Sequence, residues 1–234
     1  MATARGPAGG VPARFRGAKG AAYRGLLAGS VVVLAYLVVV TGYLVTTSTE
    51  VIDPSRAAYP LVWFSLSAAA LAAAFGPDGE SGVRRGVNRW PAVVAAGYVL
   101  LLAGVSGQLS IGSTGVGLSI SGGLPGWAPV VVADLAVVGV VAVPFQSIGY
   151  VVLGALLARA LSATTRSALA GVLGLFTCAG CVLPIVAAVA SIGSVPLLAN
   201  GLTYDVSTAA FALTATLLAG VVVRERAGSD RCER

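Results

Sequence analysis

Cys178, Ala179, Gly180, Cys181, Val182, Leu183 and Pro184 stand near the middle of an apolar stretch running from Ser167 to about Ala190. Two thiols three positions apart share one helical face. A proline at position 184 removes the hydrogen bond that the Gly180 carbonyl would accept within a helix. Two soft sulfur ligands therefore flank a freed backbone oxygen. Three readings suit the arrangement: disulfide exchange with a partner thiol, two-coordinate holding of a Cu(I)-like ion, or plain space filling by two small hydrophobes. Cys232, in a charged C-terminal stretch, reads as a solvated thiol, and three cysteines supply no disulfide framework.

Asp134 is the second candidate, because it interrupts the Val-rich segment Ala128–Val143. A carboxylate at mid-bilayer costs about 2.5 to 3.5 kcal/mol on insertion scales, so such a residue faces a cavity or a partner unless it sits at a helix end near the headgroups. Gln146 and Ser147 follow directly on Pro144. A path through the protein would be lined by Asp134, Gln146 and Cys178.

Missing residue types narrow the chemistry. The chain has no His, which excludes His-held haem, His-ligated zinc or copper and a His proton relay. Lys19 is the only lysine and lies in the N-terminal tail, so a retinal Schiff base within the membrane is excluded. Met1 is the only methionine, which leaves no thioether ladder for copper. No GxxxxGK[ST] motif is present to bind nucleotide. Nothing here specifies an enzyme or a resident cofactor beyond the Cu(I) option.

The elements that must position these residues are set by composition. With 57% hydrophobic and 10% charged residues and a mean hydropathy of +0.91, the chain lies far from the soluble average of about 25% charged. The expected class is all-α, a polytopic helix bundle in the cell membrane. Residues 1–24 read as a flexible basic tail and 224–234 as a charged one, both cytoplasmic, around a single bundle at 25–223. Spans are expected at about 26–46, 58–75, 91–107, 144–161, 167–190 and 206–223. The first run is longer than the core of a secretory signal and reads as a retained span.

The apolar run 128–161 would measure about 50 Å as one helix, against a hydrocarbon core of about 30 Å. It must break, and Pro144 is the place. Six spans then put fourteen of the fifteen basic residues inside, with Arg56 alone outside. Two crossings of the broken run would distribute them almost evenly. Residues 128–143 are left over, and are expected as a re-entrant or interfacial helix. The uncharged loop 108–126 belongs outside, and Tyr43, Tyr59, Trp63, Trp127 and Tyr204 are expected at the outer interface. Gly25 and Gly29 form a GxxxG suited to close helix contact.

The block from Pro144 to Gly220, with Cys178-x-x-Cys181-x-x-Pro184 and a last span opening Tyr204-Asp205-Val206-Ser207-Thr208, resembles an uncharacterised family of haloarchaeal integral membrane proteins. The resemblance implies a multi-span bundle and supplies no reaction. The partners expected are the lipid bilayer and a membrane or extracytoplasmic protein. Nucleic acid is not expected, because the net charge of +6 comes with no basic helix or aromatic-basic module. Two functional classes stay open: a dithiol membrane protein using Cys178 and Cys181, and a non-catalytic membrane subunit or scaffold whose cysteines only fill space.

Overall fold

The computed structural model describes residues 13–47, 54–75, 89–112, 115–164 and 202–229. Helices α1 (Ala13–Thr47), α2 (Pro54–Ala74) and α3 (Arg89–Val105) precede four strands. Helices α4 (Pro144–Thr164) and α5 (Leu202–Ser229) follow them. Pro54 and Pro144 open their helices at the first position, where the donor that proline lacks has no intrahelical partner to miss. Lys19–Thr47, Ala57–Ala74, Pro144–Ser162 and Tyr204–Arg224 are long and apolar enough to cross a bilayer. Helix α3 is apolar but shorter, at 17 residues. The expected span at 167–190 lies outside the described residues.

Small residues let α1 approach α2. A side chain at Gly25 would meet the Ala69 carbonyl at 3.0 Å, and one at Gly29 the Ser65 carbonyl at 3.4 Å. The GxxxG pair thus serves a contact inside the bundle. Outward, α1 exposes Leu26, Leu34, Val38 and Val45, an apolar exterior suited to lipid. The core lies where α2, α4 and α5 meet, centred on Trp63, which is 1% exposed. Its ring stacks on Phe211 with centroids 4.0 Å apart, and meets Phe145 and Tyr150 edge-on at 5.5 and 5.7 Å. Gly149 permits that approach, since a Cβ there would overlap the Trp63 ring.

Between α3 and α4 the chain forms strands. β1 (Leu109–Ile111), β2 (Val116–Ser121), β3 (Val130–Leu135) and β4 (Val138–Ala142) make one antiparallel sheet in the order β1-β4-β3-β2. The all-α expectation is therefore wrong: the chain is not a pure six-span helix bundle. Segment 128–143, expected as a re-entrant or interfacial helix, contains the β3–β4 hairpin, and the expected loop 108–126 supplies the flanking strands.

The physical reason lies in branching and period. Val130, Val131, Val132, Val140 and Val141 have stiff branched side chains that fit a pleated surface. Val116-Gly117-Leu118-Ser119-Ile120-Ser121 alternates with the strand period of two. Ala136, at a φ of 57°, turns the hairpin. Gly112 N–H donates to Val137 O at 2.8 Å and Ala136 N–H to Gly115 O at 3.0 Å, so both ends of the β1–β2 connection hold the hairpin tip.

Register sorts the side chains onto two unlike faces. Ile111, Val138, Leu135 and Val116 form one row across the sheet, and Leu109, Val140, Ala133 and Leu118 the next. That face is apolar throughout. The opposite face is mixed, with Ser110, Gly139, Asp134 and Gly117 in one row and Val141, Val132 and Ser119 in the next. From Trp90 to Ala158, Asp134 is the only charged residue.

Candidate functional site

Several polar side chains of the described residues meet where the sheet joins the bundle. Two clusters form there. In the first, α5 opens with Asp205 in its first turn, where a carboxylate complements the helix dipole. Tyr59 of α2 donates to Asp205 Oδ1 at 2.8 Å, a charge-assisted bond. One turn deeper, Trp63 Nε1 donates to Thr208 Oγ1 at 3.0 Å. Tyr36 of α1 reaches the same end, its hydroxyl lying 3.1 Å from Ala57 O and 2.9 Å from Pro125 O.

The loop carrying Pro125 is seated by two further contacts. Gly126, at a φ of 94°, lies so close to Pro60 that a Cβ would stand 2.5 Å from the ring. Trp127 packs edge-on against Phe145 and Tyr204, with centroids 4.8 and 5.2 Å away. Tyr204 in turn meets Tyr59 at 5.7 Å. These separations are those of rings touching one another, so the cluster is a filled joint between loop and helices.

The second cluster ties the sheet to α4. Gln108, 7% exposed, donates from Nε2 to Gln146 Oε1 at 3.2 Å, and accepts from the Ser147 hydroxyl at 3.3 Å. Its backbone carbonyl accepts from Val141 N–H at 2.8 Å. One glutamine thereby links the end of α3, strand β4 and the first turn of α4. Burial of an amide is tolerable only with partners of this kind.

Gln146, a sequence candidate, is thus a joint residue. Asp134, the other, sits on β3 beside Gly139 and Gly117, three rows along the strand from the base pair Val131–Ala142. At strand rise that is about 10 Å. The structure does not bring Asp134 and Gln146 together. Cys178, Cys181 and Pro184 lie outside the described residues. Among the described residues, no group of three or more His, Cys, Asp or Glu side chains could hold a metal.

Sequence reasoning missed Gln108, Asp205 and Thr208 as members of one end of the fold. The aromatic residues Tyr59, Trp127 and Tyr204 carried a signal, since all were expected at one interface. What spacing cannot show is that Asp205 accepts from Tyr59, 146 positions away in sequence.

No curated protein and no solved structure matches the chain. A family model does match, over residues 12–227, and so covers the helices and the sheet alike rather than the C-terminal half alone. The chain, an array of apolar helices compatible with a membrane protein and carrying this sheet, belongs to the family of unknown function DUF7546.

Proposed function

We propose that the chain is a multi-pass membrane subunit without catalytic chemistry of its own, a bundle that holds a sheet with Asp134 as its one charged residue at the extracytoplasmic surface. One observation carries this reading. Polar side chains where the sheet meets the helices are engaged in joints between elements: Tyr59 with Asp205, Trp63 with Thr208, and Gln108 with Gln146 and Ser147. Such an arrangement fixes the sheet on the helices and positions no reacting group. Orientation follows from charge: with both termini cytoplasmic, the basic residues other than Arg56 face inward and the sheet faces out.

The test is complementation of a deletion strain. A Cys178→Ala, Cys181→Ala double variant is expected to restore the wild-type phenotype, while Gln108→Leu combined with Trp127→Ala, which loosens the sheet from the bundle, is expected not to. Loss of function in the double cysteine variant would sink the scaffold reading.

A second reading is favoured by the Cys-x-x-Cys-x-x-Pro spacing. Cys178 and Cys181 would exchange with an extracytoplasmic partner, two thiols becoming a disulfide as the partner disulfide is reduced to two thiols. Alternatively both thiolates, with the Gly180 carbonyl freed by Pro184, would hold Cu(I). Anaerobic purification followed by copper analysis and thiol counting separates these. Stoichiometric copper lost in Cys178→Ser supports metal handling, and a reversible loss of two thiols without metal supports exchange.

A further inference from the structure

We infer that the apolar face of the four-stranded sheet rests on the bilayer, in the headgroup and upper acyl region of the leaflet at the sheet end of the bundle. The inference rests on the membrane reading above and gives the sheet its occupant.

Among the described residues, nothing covers the outer strands of this face, while Val131, Ala133, Val140 and Ala142 of the central strands are half-buried. Every row on it is apolar, and Ile111, Val116, Leu118 and Ile120 are 90, 81, 70 and 66% exposed. Its tether holds it near lipid. Only residues 106–108 separate α3 from β1, and Val143 alone separates β4 from α4. The base of the sheet therefore stays at the level where two apolar helices end.

Helix α3 sets that level. Its 17 residues measure about 25 Å, against a hydrocarbon core of about 30 Å. With Arg89 at one interface, its other end stops short of the second, and residues 106–108 cross the last of the acyl region before β1 begins at its boundary. A short helix is accommodated by thinning the bilayer or by recruiting neighbouring residues. Here the sheet continues the apolar surface where α3 stops. The connecting residues are suited to that depth, since Gln108 is bonded to Gln146 and Ser147 and the Ser106 hydroxyl to Ala103 O at 3.2 Å.

Chemistry favours lipid over a protein partner. The centres of protein interfaces are enriched in Tyr, Trp and Arg, whereas this face carries only aliphatic side chains. Asp134, with Ser110, Ser119 and Ser121, is on the other face beside Val130, Val132 and Val141, and this mixed face, which alone carries a charge, would look to water. Depth is bounded as well. β2 is an edge strand exposed along its whole length, and an open edge is not tolerated in hydrocarbon. The sheet would therefore lie at the interface, as amphipathic helices do, about 5 to 10 Å into the boundary region.

The test uses the full chain with Cys178, Cys181 and Cys232 replaced by Ala, in phosphatidylcholine vesicles. A spin label is placed at Val116, Leu118 or Ile120 in turn, and at Gly117, Ser119 or Ser121. Accessibility to oxygen is compared with accessibility to a water-soluble nickel chelate. The expected result is an alternation: oxygen dominates at 116, 118 and 120, and the chelate dominates at 117, 119 and 121. Chelate access at all six positions would overturn the inference and put the face in water. Shielding of 118 and 120 from both reagents would also overturn it, pointing to cover by a second copy or by other residues of this chain.

A second measurement needs no substitution. The unaltered protein, irradiated in vesicles containing a phospholipid with a photoreactive upper acyl chain, is expected to carry adducts between residues 116 and 121, and their absence would sink the proposal. Release of the protein from vesicles by alkaline carbonate would instead defeat the membrane reading itself, so the two failures are distinguishable.

Discussion

Trp63 shows how much of the bundle hangs on single atoms. Its indole N–H is satisfied by Thr208, and its ring fills the space between α2, α4 and α5. Thr208→Val keeps the shape and removes the acceptor. The expected loss is about 1 kcal/mol, typical of a buried hydrogen bond, read as a lowered unfolding midpoint in detergent and absent in Thr208→Ser. Gly149→Ala works on the same ring from the other side. Its methyl would overlap Trp63, so a penalty of about 1 to 3 kcal/mol is expected for overfilling, shrinking when Trp63→Leu is combined with it. Neither contact was legible in the sequence. A tryptophan in an apolar run announces an interface or a core, but its partner is decided by how helices far apart in sequence cross, and Phe211 and Thr208 stand about 145 positions away from it.

Helices and strands differed in how plainly they could be read. Apolar runs of about 20 residues are a strong signal because a bilayer demands that length, and the runs expected at 26–46, 58–75, 144–161 and 206–223 fall on α1, α2, α4 and α5. The strands were hidden by the same property. Uncharged Val-rich sequence between two spans has the hydropathy of a membrane helix, and hydropathy does not report backbone conformation. The signal against a helix was local: seven β-branched residues at 130–132, 137–138 and 140–141, and the period-two alternation at 116–121.

Two variants probe the sheet as an element. Ala136 holds a left-handed φ that favours glycine. Ala136→Gly should stabilise the hairpin by about 0.5 to 1 kcal/mol after the entropy cost of glycine, seen as slower amide exchange across 130–142. Gln146→Leu should act oppositely. It strands the buried Gln108 amide at a cost of about 1 to 3 kcal/mol, and exchange should quicken at β1 and β4 before it does in α2 or α5.

At the scale of the molecule, the charge distribution makes a prediction about orientation. Single cysteines introduced at Ser119 and at Arg85 into the cysteine-free chain should label differently in intact cells. A membrane-impermeant maleimide is expected to react at 119 and to spare 85 until the membrane is opened. Reaction at 85 alone would invert the topology. That expected orientation rests on the positive-inside bias, which depends only on which loops carry Arg.

The strand order adds a chronology. β1 is made first of the four strands, yet its ladder partner is β4, made last. A ribosome that has synthesised α3 must therefore continue through more than thirty residues before β1 finds its neighbour, and the next residues to emerge begin α4. Closing the ladder and seating α4 against α3 become one event. Nascent chains halted before residue 138 should leave β1 open to protease, and chains extended past α4 should become resistant at the sheet and at the α3–α4 contact together.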